Sequence, residues 1–157
     1  MKIIQRSFLS LEQKQSVFEL WNLEYPDKLA YSKISELDIY LNALTDKKHY
    51  LLLNDENEIV AWAFTFIRDD DKWFAIILNS KIHRKGYGRL LLNELKKNES
   101  ILNGWVIDQN GIRQNKKQYI SPLEFYIKNG FEIILDTRIE TDKISAVKIR
   151  WIRQLYE

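Results

Sequence analysis

The chain of 157 residues contains no cysteine and only two histidines, His49 and His83, which lie far apart in the sequence. The lack of cysteine excludes disulfides, thiolate metal sites and a cysteine nucleophile. Two separated histidines argue against a histidine-based metal site. No apolar run approaches the roughly 20 residues that a membrane-spanning helix needs, and the first residues lack the features of a secretory signal. We therefore expect a cytoplasmic protein with no membrane association and no metal ion.

The charges of the chain are nearly balanced, because 24 lysines and arginines stand against 22 aspartates and glutamates. A protein that binds nucleic acid through bulk charge needs a concentrated basic face, so we expect no nucleic-acid partner. Hydrophobic residues make up 45% of the chain, which is ordinary for a globular protein. The length favours a single domain over residues 1–157.

Prolines and glycines are also scarce, with two and five in the chain, so each one helps to locate the end of an element. Apolar residues at helical spacing predict helices over 10–22, 33–45, 86–98 and 121–130. Segments rich in β-branched and aromatic residues predict strands over 2–8, 49–55, 58–68, 72–80, 104–108, 131–140 and 144–155. Because a helix connects two of these strands, at least one strand pair should be parallel. The order indicates an α/β (α+β) fold with a mixed sheet.

The segment LNSKIHRKGYGRLLLNELKK, residues 78–97, places two glycines and a basic run at the start of a helix. A helix N-terminus carries unpaired N–H groups and a partial positive charge, and glycines leave these donors open to a ligand. Such a site suits a phosphate or pyrophosphate. A turn that only permits a tight connection is the structural alternative. The dinucleotide fingerprint is incomplete, since Leu91 replaces its third glycine, and the P-loop lysine and hydroxyl residue are missing.

A second motif, SPLEFYIKNGF, has the signals of a short helix. Ser121 is a predicted N-cap, Pro122 suits the first helical position, and Glu124 would complete a capping box. Gly130 is expected to end the helix. These signals place Tyr126 in its last turns.

The two motifs, in this order and within this strand–helix plan, resemble the GCN5-related N-acetyltransferase (GNAT) family. The resemblance covers roughly residues 48–136, and the flanking elements also fit the family's order. It implies a mixed, mostly antiparallel twisted sheet of about seven strands flanked by about four helices. It also implies an N-acetyltransferase that moves the acetyl group of acetyl-CoA to a primary amine of a small molecule or peptide. The amine would attack directly in a ternary complex.

The resemblance also implies roles for individual residues. The backbone of Ile76 and Leu78 would bind the pantetheine chain. Tyr126 matches the family tyrosine near the thioester sulfur, where a phenol can hydrogen-bond the leaving thiolate or protonate it. Because a free phenol is a weaker acid than a free thiol, full proton transfer is uphill by about 2 kcal/mol. We therefore expect hydrogen bonding first, with simple aromatic packing as the alternative. The pyrophosphate loop would consist of His83, Arg84, Lys85, Gly86, Tyr87, Gly88 and Arg89.

Two positions depart from the family pattern. His83 stands where glutamine or arginine is usual, and we do not expect it to be catalytic. The strand KWFAIILNS has no acid after Asp71, whereas many relatives carry a glutamate there as the base. Asp108 is the best substitute as a general base. Other polar residues have possible roles in binding a water or a cationic substrate, with a structural role equally open for each: Asn79, Glu24, Glu36 and Tyr119.

The sequence says less about the residues that would bind the acceptor amine. The aromatic residues of the N-terminal helices would line it or fill a core: Trp21, Tyr25, Tyr31 and Tyr40. The loop 109–120 is expected either to shape the acceptor pocket or to be a surface excursion. Two functional alternatives stay open, a CoA-binding sensor without turnover and transfer of a different acyl group. A homodimer is possible by resemblance.

Overall fold

A computed structural model describes residues 1–154 of the chain. The helices are α1 (Leu11–Glu24), α2 (Ile34–Asn42), α3 (Tyr87–Lys96) and α4 (Leu123–Lys128). The strands are β1 (Lys2–Arg6), β2 (Thr45–Leu53), β3 (Ile59–Arg68), β4 (Asp71–Leu78), β5 (Ile101–Ile107), β6 (Gly111–Ile112), β7 (Gln118–Tyr119), β8 (Glu132–Glu140) and β9 (Ser145–Ile152). Within this range, no helix has the length and apolar character that crossing a membrane requires.

Seven strands form one sheet in the order β1-β2-β3-β4-β5-β9-β8. Every neighbouring pair is antiparallel except β4 and β5, which are parallel. The expected fold, a mixed and mostly antiparallel sheet of seven strands with four helices, is therefore confirmed. The predicted loop 109–120 contains a small hairpin, β6–β7, outside the main sheet. The last residue of the predicted closing strand, Leu155, lies outside the described residues.

The helix caps follow the sequence at the first helix but not at the last. Ser10 and Gln13 form a capping box at the start of α1. The expected capping box of Ser121 and Glu124 is wrong, because α4 starts only at Leu123. The Ser121 hydroxyl instead donates to the carbonyl of Ile107. The same oxygen accepts from the N–H of Leu123 at 3.3 Å, so Ser121 ties the start of α4 to the end of β5. The Ser121 N–H, which Glu124 would bind in a capping box, donates to Oδ1 of Asn110 at 2.9 Å.

Hydrophobic cores cover both faces of the sheet. On one face, α3 packs its buried leucines, Leu91, Leu92 and Leu95, together with Tyr126 of α4. On the other face, α1 and α2 bury apolar residues including Val17, Leu20, Leu37 and Leu41. Each fully buried leucine contributes about 1.5–3 kcal/mol of burial free energy. With both faces covered, a ligand can reach the middle of the sheet only through a gap between strands.

Such a gap opens between β4 and β5. Their ladder consists of one register pair, Trp73 opposite Asn103. The Asn103 side chain is fully buried, donates to the carbonyl of Lys72 at 2.9 Å and accepts from Nε of Arg150 at 2.9 Å. One residue further on, a Cβ at Gly104 would lie 2.7 Å from the Phe74 ring. The strands are thus held together at one end, and an aromatic ring occupies the space where they diverge.

His49 is a buried titratable residue on β2 and lies away from this gap. Its side chain is 2% exposed and stacks on the rings of Trp62 and Phe64. Nδ1 accepts a hydrogen bond from Nε1 of Trp62 at 3.0 Å, so the imidazole is neutral. Burial, with the positive charge of Lys47, lowers the pKa of His49 to about 4. The folded state therefore resists protonation at this site.

We predict that acid destabilises the protein through His49. The unfolded histidine has a pKa near 6.5 and binds a proton that the folded one does not, so stability is lost as pH falls from about 6.5 towards 4. Between pH 7 and pH 5 the free energy of unfolding should fall by about 2 kcal/mol from this group. Urea unfolding at both pH values measures the loss.

His49→Gln supplies the comparison, because glutamine keeps an acceptor for Trp62 but does not titrate. This variant should lose about 2 kcal/mol less than the wild type over the same interval. An equal loss in His49→Gln and wild type would assign the acid effect to other groups.

Candidate active site

The N-terminus of α3 is open and lacks a capping side chain. Its N-cap residue, Gly86, has φ +88°, and no atom lies within 4 Å of the position that a Cβ would take. Glycine is therefore required by the left-handed backbone and not by crowding. Arg84 also has a positive φ of 62°. The tight turn leaves the first N–H groups of the helix without an intrahelical or capping partner.

Gly88, two residues after Gly86, is required by close packing. A Cβ there would lie 3.2 Å from the Phe125 ring and 3.7 Å from the side chain of Leu78. The start of α3 therefore rests against α4 and the end of β4. Phe125 in turn packs edge-to-face on Tyr126, with ring centres 5.1 Å apart. The anion-binding end of α3 and the Tyr126 ring are thus held by a common neighbour.

At the end of β4, backbone groups are directed away from the neighbouring strand β3. The N–H of Asn79 donates to the carbonyl of Val60 on β3. Since antiparallel residues alternate between facing the partner and facing away, the N–H and C=O groups of Leu78 and Ile76 point away from β3. The Leu78 carbonyl accepts a hydrogen bond from Nε2 of His83 at 3.0 Å. His83 thus ties the loop to the end of β4, which is a structural role.

The rest of the loop supplies charge. Arg84, Lys85 and Arg89 are exposed and form no ion pair among residues 1–154, whereas Tyr87 is half-buried against the core. Cations around open backbone donors are suited to a diphosphate. Every loop residue singled out from the sequence therefore lies in one place.

An aromatic pocket of about 320 Å³ lies in the gap between β4 and β5. Residues from both faces of β4 line it, Trp73 and Ala75 on one side and Phe74 and Ile76 on the other, so the pocket crosses the sheet. Its volume is in the range of small-molecule sites. The complete lining of the aromatic pocket is Trp21, Tyr25, Leu29, Tyr31, Tyr40, Phe66, Arg68, Trp73, Phe74, Ala75, Ile76, Trp105, Val106, Ile107, Tyr119, Pro122, Tyr126, Ile139 and Ile144.

Tyr126 is placed in this lining by the end of α4. The N–H of Phe131 donates to the carbonyl of Tyr126, and the N–H of Gly130 donates to that of Ile127. Together with φ +91° at Gly130, these bonds make a Schellman motif. The rings of Tyr126 and Phe131 also contact each other, with centres 5.5 Å apart. The helix end therefore holds the tyrosine in a defined position.

The phenols of the aromatic pocket stay protonated at neutral pH. Burial raises the pKa of Tyr126 well above its usual range, with a smaller contribution from nearby Tyr119. Burial also raises the pKa values of Tyr119 and Tyr31 to about 12, and that of Tyr25 well above 10. No carboxylate or histidine belongs to the lining within the described residues. The pocket thus offers hydrogen-bond donors but no side chain that accepts a proton at neutral pH.

Asp108, the expected base, does not line the aromatic pocket. Its carboxylate binds the guanidinium of Arg138 through two hydrogen bonds of 2.9 Å. The Arg138 hydrogen bonds lower the pKa of Asp108, which makes it a weaker base. Its catalytic role stays a prediction that this arrangement does not favour.

The other polar candidates are engaged in the fold. Asn79 caps a turn by accepting from the N–H of Lys81, and Glu36 binds Ser32. Glu24 is 5% exposed and is bound to the N–H of Ser80 and to Arg113. Neither Glu24 nor Glu36 belongs to the pocket lining. Of the residues considered for the acceptor side, the structure brings together Tyr119 and the four aromatics of the N-terminal segment.

The loop 109–120 is attached to α1 next to the pocket. Arg113 pairs with the buried Glu24 at 2.5 Å, and its backbone bridges to Pro26. Tyr119, at the end of the loop's hairpin, lines the aromatic pocket. The loop therefore contributes a wall to the pocket and is held across it to the N-terminal helix.

Comparisons with known proteins agree with this geometry. A family model described as an acetyltransferase (GNAT) domain matches residues 46–133, which is more than half of the chain. The chain belongs to the GNAT family. Membership confirms an acyl-CoA-dependent acetyltransferase with acetyl-CoA as the acetyl donor. No curated protein sequence matches this GNAT protein.

Solved GNAT structures share the fold over nearly the whole chain. The ribosomal-protein-S18-alanine N-acetyltransferase from Escherichia coli is 17% identical with a TM-score of 0.63, covering 99% of this chain and 97% of its own. A phosphinothricin acetyltransferase from Sinorhizobium meliloti in complex with AcCoA is 11% identical with a TM-score of 0.65, covering 97% and 89%. Spermidine/spermine N-acetyltransferase from Vibrio cholerae is 14% identical with a TM-score of 0.59, covering 96% and 92%.

Among the pocket residues of this GNAT protein that sequence reasoning missed are Arg68, Trp73 and Trp105. One signal could have found Arg68. Trp62, Phe64, Phe66 and Arg68 alternate along β3 and therefore share one face. Arg68 is the one charged residue on this otherwise aromatic face, and a charge at such a position is unusual. The rings of Trp73 and Trp105 stack across the gap with their centres 5.4 Å apart. This contact depends on the spacing of β4 and β5, so no local sequence pattern predicts it.

We predict that Gly130→Ala destabilises the protein by about 1 kcal/mol. An L-residue at φ +91° is strained, while the added Cβ would make only an ordinary contact of 3.5 Å with Trp151. Gly111→Ala is the matched control, because its φ is not positive and its Cβ would meet nothing within 4 Å. Urea unfolding of the two variants should differ by this amount, and equal stabilities would contradict the assigned Schellman motif.

Proposed function

We propose that this protein transfers the acetyl group of acetyl-CoA to the primary amine of a small molecule by direct attack in a ternary complex. The observation that carries the proposal is the aromatic pocket, which crosses the sheet between β4 and β5. Its lining includes Tyr126, whose neighbour Phe125 packs against the start of α3, and a wall of N-terminal aromatics. Two substrates that enter from opposite faces would meet beside Tyr126.

The residues of the loop and of β4 fit the coenzyme. Backbone N–H groups at the start of α3 would hold the diphosphate, with the exposed side chains of Arg84, Lys85 and Arg89 around it. The backbone groups of Ile76 and the N–H of Leu78, which point away from β3, would bind the pantetheine amides, while the Leu78 carbonyl is bound to His83. Acetyl-CoA supplies an acetyl thioester when it is bound there. Two features of this turn, a positive φ at Gly86 and close packing at Gly88, support this assignment.

Tyr126 would act on the leaving group as a hydrogen-bond donor. In the reaction the amine nitrogen bonds the acetyl carbon, the carbon–sulfur bond breaks, and the electron pair goes to sulfur. A buried phenol whose pKa is raised donates a hydrogen bond readily but gives up its proton reluctantly. We therefore assign Tyr126 to stabilising the thiolate, with proton donation second.

The acceptor amine would lose its proton without a dedicated side-chain base. The aromatic pocket is lined by neutral phenols, and Asp108 is bound to Arg138. The amine would therefore bind as the free base or pass its proton to water. The rate at neutral pH should then depend on the acceptor's own pKa.

A small molecule is favoured over a peptide by the loop 109–120. This loop is held to α1 by a buried ion pair between Glu24 and Arg113, beside the pocket wall. Enzymes with similar structures are named for acetylating spermidine, phosphinothricin and a ribosomal-protein alanine. The fold alone therefore does not determine the acceptor. The cytoplasmic location and the homodimer expected from the sequence stay predictions.

The alternative is a CoA-binding sensor without turnover. The lack of a pocket carboxylate favours it, and the buried Tyr126 beside the gap argues against it. An assay for free CoA with a panel of primary amines separates the two. Release of CoA that depends on the amine supports the enzyme, whereas CoA binding without release supports the sensor.

We predict that Gly86→Asp abolishes binding of CoA. The carboxylate would lie over the open N–H groups and repel the diphosphate, while the space at this position leaves folding possible. At about a hundredfold excess of CoA over its Kd, the wild type should gain roughly 5–10 °C in melting temperature. Gly86→Asn is the matched control, since asparagine has the same size, tolerates positive φ and adds no charge. It should keep most of the gain, and an undiminished gain in Gly86→Asp would refute the loop assignment.

We predict that Tyr126→Phe lowers kcat by about tenfold to a hundredfold through loss of the hydrogen bond to sulfur. The melting-temperature gain with CoA should stay at the wild-type level, because the ring still fills its place. Tyr50→Phe removes a hydroxyl from β2, away from the pocket, and should leave kcat unchanged. Full activity of Tyr126→Phe would show that its hydroxyl has no role.

A further inference from the structure

Arg68 is the one charged residue in the lining of the aromatic pocket. It ends β3, and its guanidinium carbon lies 5.0 Å from the centre of the Phe66 ring and 5.4 Å from that of Trp73. Arg68 forms no ion pair among residues 1–154. The acid opposite it in the hairpin, Asp71, accepts from the N–H of Lys72 and pairs with Arg150 instead. A cation is thus held on aromatic rings inside a pocket with no counter-charge.

Two further groups add positive potential beside Arg68. Trp73 is 5% exposed, and its Nε1 is buried with no hydrogen-bond partner in the described residues. A buried N–H without an acceptor is uncommon in folded proteins. Nζ of Lys148 lies 5.1 Å from the centre of the same ring and also lacks a carboxylate partner within residues 1–154. The Trp73 ring is therefore bordered by two cations and carries a free donor.

The lining also limits the acceptor by what it does not contain. No aspartate or glutamate among the described residues lines the pocket, so a second ammonium group on the acceptor would have no partner there. Burying an unpaired charge is costly. A polyamine, which carries several ammonium groups, therefore fits this lining poorly. An anionic group would meet Arg68, which forms a hydrogen bond with Tyr40 but has no carboxylate partner among residues 1–154.

We propose that the acceptor carries a carboxylate in addition to its primary amine, and that Arg68 binds this carboxylate. The inference rests on the proposed acetyl transfer and concerns the same pocket. It names the acceptor class as an amino acid with an apolar or aromatic body. A planar guanidinium binds a carboxylate through two parallel hydrogen bonds, and Nε1 of Trp73 would supply a third donor. The aromatic rings between Arg68 and Tyr126 would hold the body of the molecule, with its amine towards the thioester.

The test uses two acceptors that differ only in the anionic group, 4-(aminomethyl)benzoate and 4-(aminomethyl)benzamide. The ring separates the two ends, so the amine is closely similar in both. The wild type should prefer the carboxylate by at least tenfold in kcat/KM, because hydrogen bonds to charged groups discriminate strongly. In Arg68→Gln this ratio should fall to about twofold, and Arg68→Lys should give an intermediate ratio.

Lys143→Gln is the control for net charge, since Lys143 is exposed and lies outside the pocket lining. It should keep the wild-type ratio. A binding readout comes from 4-methylbenzoate, which has no amine. It should inhibit competitively against the acceptor in the wild type and at least tenfold more weakly in Arg68→Gln. The melting-temperature gain with CoA shows whether each variant is folded.

The outcomes separate this inference from the proposed function. Equal use of the two acceptors by the wild type, or an unchanged ratio in Arg68→Gln, overturns the carboxylate site and leaves acetyl transfer standing. No CoA release with any amine overturns the proposed function itself. A falling ratio together with loss of inhibition by 4-methylbenzoate supports the inference.

Discussion

The structure depends on one buried polar residue at the point where β4 and β5 meet. Asn103 binds the Lys72 carbonyl on one strand neighbour and Arg150 on the other, in a fully buried position. A buried amide with both ends bonded fixes the geometry around it, because any other arrangement would leave a polar group unpaired. The two parallel strands are thereby held at one end while the Phe74 ring against Gly104 keeps them apart beyond it.

The divergence of these strands has two consequences that belong together. It leaves the backbone groups of Ile76 and Leu78 without a strand partner, so a ligand chain can pair with them as a strand would. It also opens a passage through the sheet, which would otherwise be sealed by the cores on its two faces. A coenzyme site on one side and an acceptor site on the other can therefore share a reaction point without either face losing its core.

The chemistry inside the passage follows from its low polarity. Burial keeps the tyrosines protonated, as the raised pKa values of Tyr126 and Tyr119 indicate. Neutral phenols stabilise a departing thiolate better than they remove a proton from an amine. The same surroundings strengthen electrostatic interactions, so one arginine without a counter-charge has a large influence on what binds. On our proposal, a pocket of this kind would select its substrate through charge and leave deprotonation to the solvent.

Much of the fold was readable from the sequence, and the reasons are local. Alternating and helical spacing predicted all seven sheet strands and all four helices, and Gly130 marked the end of α4 correctly. The ends of the elements were less predictable. The capping box of Ser121 failed because the N–H that Glu124 would bind donates instead to Asn110, a residue 11 positions away in the chain. β5 begins three residues before the predicted strand, where Asn103 contributes its side-chain contacts.

The sequence by itself determined the elements, the glycine turn before α3 and the position of Tyr126 near a helix end, because these depend on residues close together in the chain. Only the tertiary structure decided which side chains share the pocket. It brought Arg68, Trp73 and Trp105 together from three strands, and it bound Glu24 and Asp108 to arginines. Such pairings depend on how strands are ordered and spaced, and no single segment of the chain carries that information.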